Sequence, residues 1–575
     1  MSARWRPRLL LGLVALATLL LVRSGAGWAQ GEEQGGAGNR HLLIGHVYDG
    51  KGQPVAGVDV TARTAGESEL LAEAETQDDG RFALSFGPDV ASLAALQIQL
   101  QRPHFQDTSV RLPSETLAAL QSGDATVMAD VELVPRITPA FWLAAAIFVL
   151  MLILIAVGSI HNTLAALVGA ALIFAVSYLG PLVTEDLFIF DFARALRYVD
   201  WNVIFLIMGM MIVIAVVERT GIFQWAAFMA YKLSRGKGWL LMIILMIIAG
   251  VASAFLDNVT TMLLMTPITI QIALSLNLNP LALLMPEVMA SNVVGISTLI
   301  GTPTNILIGS FAGISFSDFV VNLTPGVVIA MVGLVLYNQV VYGEELQSSA
   351  AKGALSPMLL ERLEKRGEIK QPGHLRKAGV VGAAMLVLFV LGENFHLVPA
   401  VTALMGATAL LMWIRPDIEE MIEAVDWTTL VFFIALFIAV GAVREVGLIS
   451  LLATGIGRLV GENLLLATMV VAWLSAILST IVANIPFTAA MLPVIASLTA
   501  TIPGAESKVL FYALSVGAAM GGNGSLIGAS ANMVTAGIAE RAGSPITYGY
   551  FLKRGFPALI VTVALASIWL YIRFL

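Results

Sequence analysis

Residues 256–267 read LDNVTTMLLMTP, and residues 482–493 read VANIPFTAAMLP. Both stretches lie within long apolar segments. The first sets Asp257 and Asn258 side by side where hydrocarbon is expected. An unpaired charge at that depth is costly, so such residues face a cavity or a partner and do work. The second begins 226 positions later (482 − 256 = 226), with Asn484 under Asn258, Met491 under Met265 and Pro493 under Pro267.

The duplication extends outward from these two stretches. VDWNVIFLIMGMMIVIAVVERTGIF from Val199 matches VDWTTLVFFIALFIAVGAVREVGLI from Val425, again at 226. TLIGTPTNILIG from Thr298 matches SLIGASANMVTAG from Ser525 at 227, with Gly301 over Gly528 and Asn305 over Asn532. Chance similarity between Leu- and Gly-rich spans does not hold an offset of 226–227 over three separate motifs.

The setting is a bilayer. The chain has 575 residues, 58% hydrophobic and 12% charged, against about 25% charged in a soluble domain. Residues 139–575 hold successive apolar blocks, several approaching the roughly 20 residues that cross a bilayer as a helix. With no cysteine and a net charge of −7, thiolate metal sites are excluded and nothing points to nucleic acid. Each half follows one recipe: two spans (139–157 and 162–181; 378–392 and 396–414), then a third (200–217; 427–443) trailed by an amphipathic piece. Next comes a long segment interrupted by the Asn motif (238–276; 463–500), a Gly-broken segment (281–310; 508–537) and a last span (318–342; 553–575). If the interrupted segment is a re-entrant hairpin, each half crosses five times, and the second half enters the membrane upside down. The expected fold is therefore an all-α polytopic membrane protein of two inverted repeats, 139–343 and 378–575, joined by a cytosolic linker, 344–377.

Charge agrees with that topology. With residue 139 starting outside, Lys232, Arg235 and Lys237 fall inside. So do the seven basic residues between Lys352 and Lys377, and Lys553 and Arg554, as the positive-inside rule requires. The C-terminus falls outside. The loop 414–426, placed inside, holds Arg415 among five acidic residues and is the one exception.

In front of the spans, residues 1–29 combine Arg4, Arg6 and Arg8 with a 14-residue apolar core, LLLGLVALATLLLV. This fits a signal peptide, with an uncleaved anchor helix as the alternative. Residues 40–135 alternate apolar and polar positions between Asp- and Gly-containing turns, which predicts a small exported β-sandwich. That pattern resembles the carboxypeptidase regulatory-like domain at Gly45, Val47, Asp49, Gly52, Pro54, Gly57, Val58, Asp79, Gly80 and Phe82. The resemblance implies a folding module without chemistry of its own.

Inverted repeats with discontinuous helices point to secondary transport, with the site near the midplane where the repeats meet. A helix broken in lipid leaves backbone groups unpaired, which is tolerated only around a cavity or within protein. The breaks here hold Ser297, Thr298, Gly301, Thr302 and Asn305 in the first half, and Asn523, Ser525, Gly528 and Asn532 in the second. The hairpin tips add Asp257, Asn258, Thr260 and Thr261, then Asn484 and Thr488. These are hard oxygen donors suited to Na⁺, with Asp257, Asn258, Asn305, Asn484 and Asn532 as the candidate ion ligands. Two acids lack a partner in the other half. Asp257 aligns with Ala483, and Glu287 with Ala513 or Leu514. Either can bind a cation or carry a proton. Glu287 has a second reading, as a wet residue near the inner interface.

At FLDNVTTMLLMTPITI and PEVMASNVVGISTLIGTPTN the chain resembles the ion transporter superfamily, in domain terms the citrate transporter-like domain. The branch it most resembles holds the arsenite permease, the NhaD-type sodium/proton antiporter and the melanosomal P protein. Dicarboxylate carriers of the superfamily show Ser-Asn-Thr at the tips; here Asp257–Asn258–Val259 and Asn484–Ile485–Pro486 stand instead. The permease branch shows Gly-Asp-Pro-Pro-Asn in the broken helix; here it is Gly301–Thr302–Pro303–Thr304–Asn305. The substrate therefore stays open among arsenite, dicarboxylates, sulfate, chloride and sodium. The resemblance implies elevator-type alternating access, commonly in a homodimer, with no cofactor beyond a coupling Na⁺ or H⁺. We expect a non-enzymatic, multi-pass permease of a bacterial inner membrane that carries a small anion. A Na⁺/H⁺ antiporter using Asp257 and a transport-inactive sensor are the alternatives. No P-loop of a primary pump is present.

Overall fold

A computed structural model describes residues 41–350, apart from short stretches at 51, 53, 65–69, 78, 88–94, 123–124 and 159, and residues 368–575. The expected signal peptide and half of the linker (351–367) lie outside the described residues. The chain divides into two compact units, Met1–Arg136 and Ile137–Leu575.

Among the described residues, the first unit holds eight strands: β1 (His41–Asp49), β2 (Asp59–Thr64), β3 (Leu70–Glu75), β4 (Arg81–Phe86), β5 (Leu96–Gln101), β6 (Thr108–Arg111), β7 (Thr126–Val127) and β8 (Val131–Leu133). In β4 every second residue is buried, as the two-residue period of a half-buried strand demands. One sheet runs β4-β1-β7 with β8 also on β1; the other runs β3-β2-β5-β6. Val47, Val60, Leu84, Ile98 and Leu133 share the core with Leu117 and Leu120 of α1 (Ser114–Gln121).

The second unit is helical, and its two halves correspond element by element. The first half comprises α2 (Pro139–Val157), α3 (Asn162–Leu179), α4 (Phe192–Arg197), α5 (Trp201–Arg219), α6 (Ile222–Ser234), α7 (Gly238–Ser253), α8 (Asn258–Ser275), α9 (Leu281–Val294), α10 (Pro303–Ala312) and α11 (Phe316–Ala350). The second comprises α12 (Pro372–Leu391), α13 (Pro399–Ile414), α14 (Ile418–Glu423), α15 (Trp427–Glu445), α16 (Leu448–Val460), α17 (Leu464–Ser479), α18 (Asn484–Thr501), α19 (Val509–Gly521), α20 (Ser530–Arg541) and α21 (Tyr548–Phe574). Among the described residues, nine helices are long and apolar enough to cross a membrane.

Local chemistry repeats with the elements. Asp200 and Asp426 each cap the following helix by accepting two backbone N–H groups, a preferred use of Asp at this position. Gly221 and Gly447 turn the chain into α6 and α16 at φ +83° and +86°, where a side chain would be strained. Pro267 and Pro493 sit inside α8 and α18. The long segments break at the Asn motif, separating α7 from α8 and α17 from α18, and α9/α10 and α19/α20 break at the glycine clusters.

The halves interlock. α5 packs on α13 while its counterpart α15 packs on α3; α8 packs on α20 while α18 packs on α10; α11 and α21 pack on each other. α5 and α15 run antiparallel. Arg219, ending α5, pairs with Glu420 before α15 at 2.6 Å. At the opposite end, Arg194 before α5 pairs at 3.0 Å with Glu445, ending α15, and Tyr198 donates its hydroxyl to the same carboxylate. The Arg219–Glu420 pair also gives the acidic 414–426 loop a basic partner.

Candidate functional site

The hairpin tips and helix breaks are built on one another in both halves. Gly301 lies so close to the Ser253 carbonyl that an added Cβ would sit 2.6 Å from its oxygen; the equivalent approach of Gly528 to the Ser479 carbonyl is 2.9 Å. Thr298 donates its hydroxyl to the Ala254 carbonyl, and Ser525, its counterpart, donates to the Thr480 carbonyl. Here the two glycines provide close packing rather than open backbone.

The asparagines knit the breaks closed. Asn305 donates to the carbonyls of Ile296 and Thr298 at 2.9 and 2.8 Å. Asn532 donates to those of Gly522 and Ser525 at 2.7 and 2.9 Å. Their own oxygens accept from across the repeat, Asn305 from Ser515 at 2.6 Å and Asn532 from Asn292 at 3.0 Å. Asn292 also donates to Asn523 at 2.9 Å and accepts from Asn258 at 2.8 Å. It thereby joins the first hairpin tip to the second broken helix. Asn292 was not legible in the sequence: its counterpart is Ala518, and a lone amide, unlike the acids Asp257 and Glu287, does not stand out in an apolar segment.

Other expected site residues serve the backbone. Thr302 caps α10 by accepting the Asn305 N–H at 3.3 Å. Ser297 donates to Val294 at 2.7 Å, and Thr488 to the Asn484 carbonyl at 2.7 Å. Thr261 is buried, and among the described residues its hydroxyl has no hydrogen-bond partner. Glu287 is fully buried on α9 rather than wet.

A cavity of about 480 Å³ opens where the two tips meet. Its walls include Asp257 and Thr260 from α8, Ala483 and Ile485 from the second tip, Pro303 of α10 and Ser530 of α20. Glu218, Asp426, Thr428, Thr429 and His161 line it at the end where α5 finishes and α3 and α15 begin. Of the expected site residues, Asp257 and Thr260 line the cavity; the remaining members stand behind the wall. The candidate Na⁺ set is thus not gathered as one cluster, because Asn305 and Asn532 spend their oxygens on Ser515 and Asn292.

The two sides of the cavity differ electrically. In the first half the helix starts are capped: Asp257 accepts the Thr260 N–H at 2.8 Å and its hydroxyl at 2.6 Å, and Thr302 caps α10. In the second half α18 begins at Ala483 and α20 at Ala529 with no side-chain cap. Their first N–H groups carry the positive end of the helix dipole. The lining includes no lysine or arginine. Burial raises the pKa of Asp426, but hydrogen bonds from Thr428 and Thr429 outweigh it and hold the carboxyl below its ordinary value.

A family model described as "Citrate transporter" matches residues 148–517. The chain is 39% identical over 432 residues to an uncharacterized transporter of Mycobacterium tuberculosis, covering 75% of this chain and 98% of that one. It is 32% identical over 514 residues to the P protein of Homo sapiens, covering 76% of this chain and 60% of that protein. The solved YdaH transporter of Alcanivorax borkumensis aligns over 75% of this chain and 98% of its own, at 13% identity and a TM-score of 0.46.

Proposed function

The chain belongs to the citrate transporter family, and from that membership and the cavity we propose a secondary active transporter that carries a small anion coupled to Na⁺ or H⁺. One observation carries this reading. Two helix N-termini without side-chain caps, α18 and α20, share a cavity with the carboxylate of Asp257. Free N–H groups at a helix start attract an anion. Asp257, on the facing half, offers the negative charge that a co-transported cation needs.

The repeats supply the movement. The antiparallel α5 and α15, and the exchange of partners between α5–α13 and α15–α3, support halves inserted in opposite senses. On this reading α7–α8 and α17–α18 are re-entrant hairpins with their tips at midplane. They move with α9–α11 and α19–α21 past a scaffold of α2, α3, α5, α12, α13 and α15, as an elevator within a homodimer. The β unit and the C-terminus lie outside, the linker in the cytosol, and the membrane is a bacterial inner membrane.

A second reading, Na⁺/H⁺ exchange through Asp257, draws support from the acidic cavity lining. Proteoliposomes of the full chain separate the two. An imposed Na⁺ or pH gradient should drive uptake of one of arsenite, sulfate, succinate or citrate. Na⁺/H⁺ exchange with no anion taken up would replace the first reading by the second. The inversion has its own test, since the chain has no cysteine. Asn277→Cys and Glu506→Cys, at matched exposed loops, should label from opposite sides of the membrane. Labelling from one side would end the inverted-repeat reading.

A further inference from the structure

Glu287 stands apart from the cavity. It lies on α9 with no exposed surface, and among the described residues neither carboxylate oxygen has a hydrogen-bond partner. Thr269 of α8 is the polar side chain that acts on it, its hydroxyl serving as a hydrogen-bond donor to the carboxylate without reaching full hydrogen-bond geometry. α7, α8, α11, α19, α20 and α21 all pack against α9. α7 and α8 carry no ionisable residue. Among the described residues, none of the titratable groups on α11, α19, α20 and α21, Tyr337, Tyr342, Tyr512, Glu540, Arg541, Lys553 and Arg554 included, hydrogen-bonds to Glu287. The matching position in the second half is Ala513 or Leu514, so repeat architecture does not account for an acid here.

A bare carboxylate in such surroundings costs more than the fold recovers. A cation or a proton can relieve it, and the donor set decides between them. A sodium ion needs several hard oxygens; among the described residues, Thr269 is the one side chain that offers Glu287 a polar contact. A proton needs none. We propose that Glu287 is the proton-carrying group of this transporter, taking one proton from water to become the neutral acid in this conformation and returning it when α9 moves.

The geometry ties occupancy to movement. Five residues further along α9, Asn292 holds Asn258 at the first tip and Asn523 and Asn532 in the second broken helix. Pro286, beside Glu287, and Pro267, two residues before Thr269, each sit inside their helix and remove one backbone donor from it. A charge appearing on Glu287 would displace the helix that aligns both halves of the cavity.

The coupling role rests on the transport reading above, whereas proton occupancy does not, so the test has two arms. The full chain in lipid is followed by infrared difference spectroscopy through a pH titration. The carboxylic-acid C=O band should be present at pH 7 and lost in Glu287→Gln. In proteoliposomes, Glu287→Gln should lose at least tenfold of the proton-driven component of anion uptake while keeping anion exchange, and Glu287→Asp should restore coupling. A band that survives in Glu287→Gln overturns the proposal. So does proton-driven uptake by Glu287→Gln at the wild-type rate, or a wild-type chain whose uptake ignores the proton gradient. If wild type takes up no anion offered, the transport reading falls, and the infrared band alone decides Glu287.

Discussion

Asn292→Ala removes the residue through which the first hairpin tip meets the second half. Three hydrogen bonds disappear together: from Asn258 at 2.8 Å, to Asn523 at 2.9 Å and to Asn532 at 3.0 Å. Asn532 keeps its two donations to the backbone, and Asn523 keeps its longer contact with the Met289 carbonyl at 3.3 Å. The Asn258 amide loses its side-chain partner. Side-chain hydrogen bonds between membrane helices contribute about 0.6 kcal/mol on average and up to about 1.7. Three of them therefore place the cost at about 2–5 kcal/mol. The measurement is unfolding of the full chain in mixed micelles, with Asn258→Ala and the double variant completing a cycle. The pair should show a coupling of about 0.6–1.7 kcal/mol, since each partner's loss removes the same bond. A cost below about 0.5 kcal/mol for Asn292→Ala, or strict additivity with Asn258→Ala, would refute the bridging role.

Asp257→Asn should keep the fold, because Asn caps a helix nearly as well as Asp, while abolishing cation coupling; full coupled uptake by this variant removes Asp257 from the mechanism. Breaking the Arg194–Glu445 pair, in which the carboxylate is buried and the guanidinium partly exposed, by Glu445→Gln should cost about 1–3 kcal/mol, and a drop in unfolding midpoint reads it; an unchanged midpoint argues against the pair. Gly301→Ala should lose about 1–3 kcal/mol by forcing the Ser253 carbonyl away, whereas Gly455→Ala, with open space around it, should stay within about 0.5 kcal/mol; equal midpoints would contradict the close approach.

The repeat was legible because both halves solve the same local problems with the same residues. Asp200 and Asp426 cap, Gly221 and Gly447 turn, and Thr298 and Ser525 tie the breaks to the tips. Pairs of that kind are visible as a constant offset. Asn292 and Ser515 were harder to read, because their partners come from the other half and they have no counterpart of the same type. Asn305 and Asn532 were found, but their use was not: they look like ion ligands in a string of letters, and the folded chain spends them on backbone carbonyls.

By itself, the sequence determined that apolar segments repeat at one spacing, that each is broken at Asn and Gly motifs, and that Asp257 and Glu287 are acids in apolar surroundings. These follow from hydrophobicity, helix capping and backbone sterics, which act over a few residues. Only the tertiary structure decided that Asp257 lines the cavity while Glu287 is sealed away from it, and that the second half presents helix starts without side-chain caps opposite a capped first half. Those outcomes depend on which helix of one half packs against which helix of the other, and contacts between residues more than two hundred positions apart leave no periodic trace in the chain.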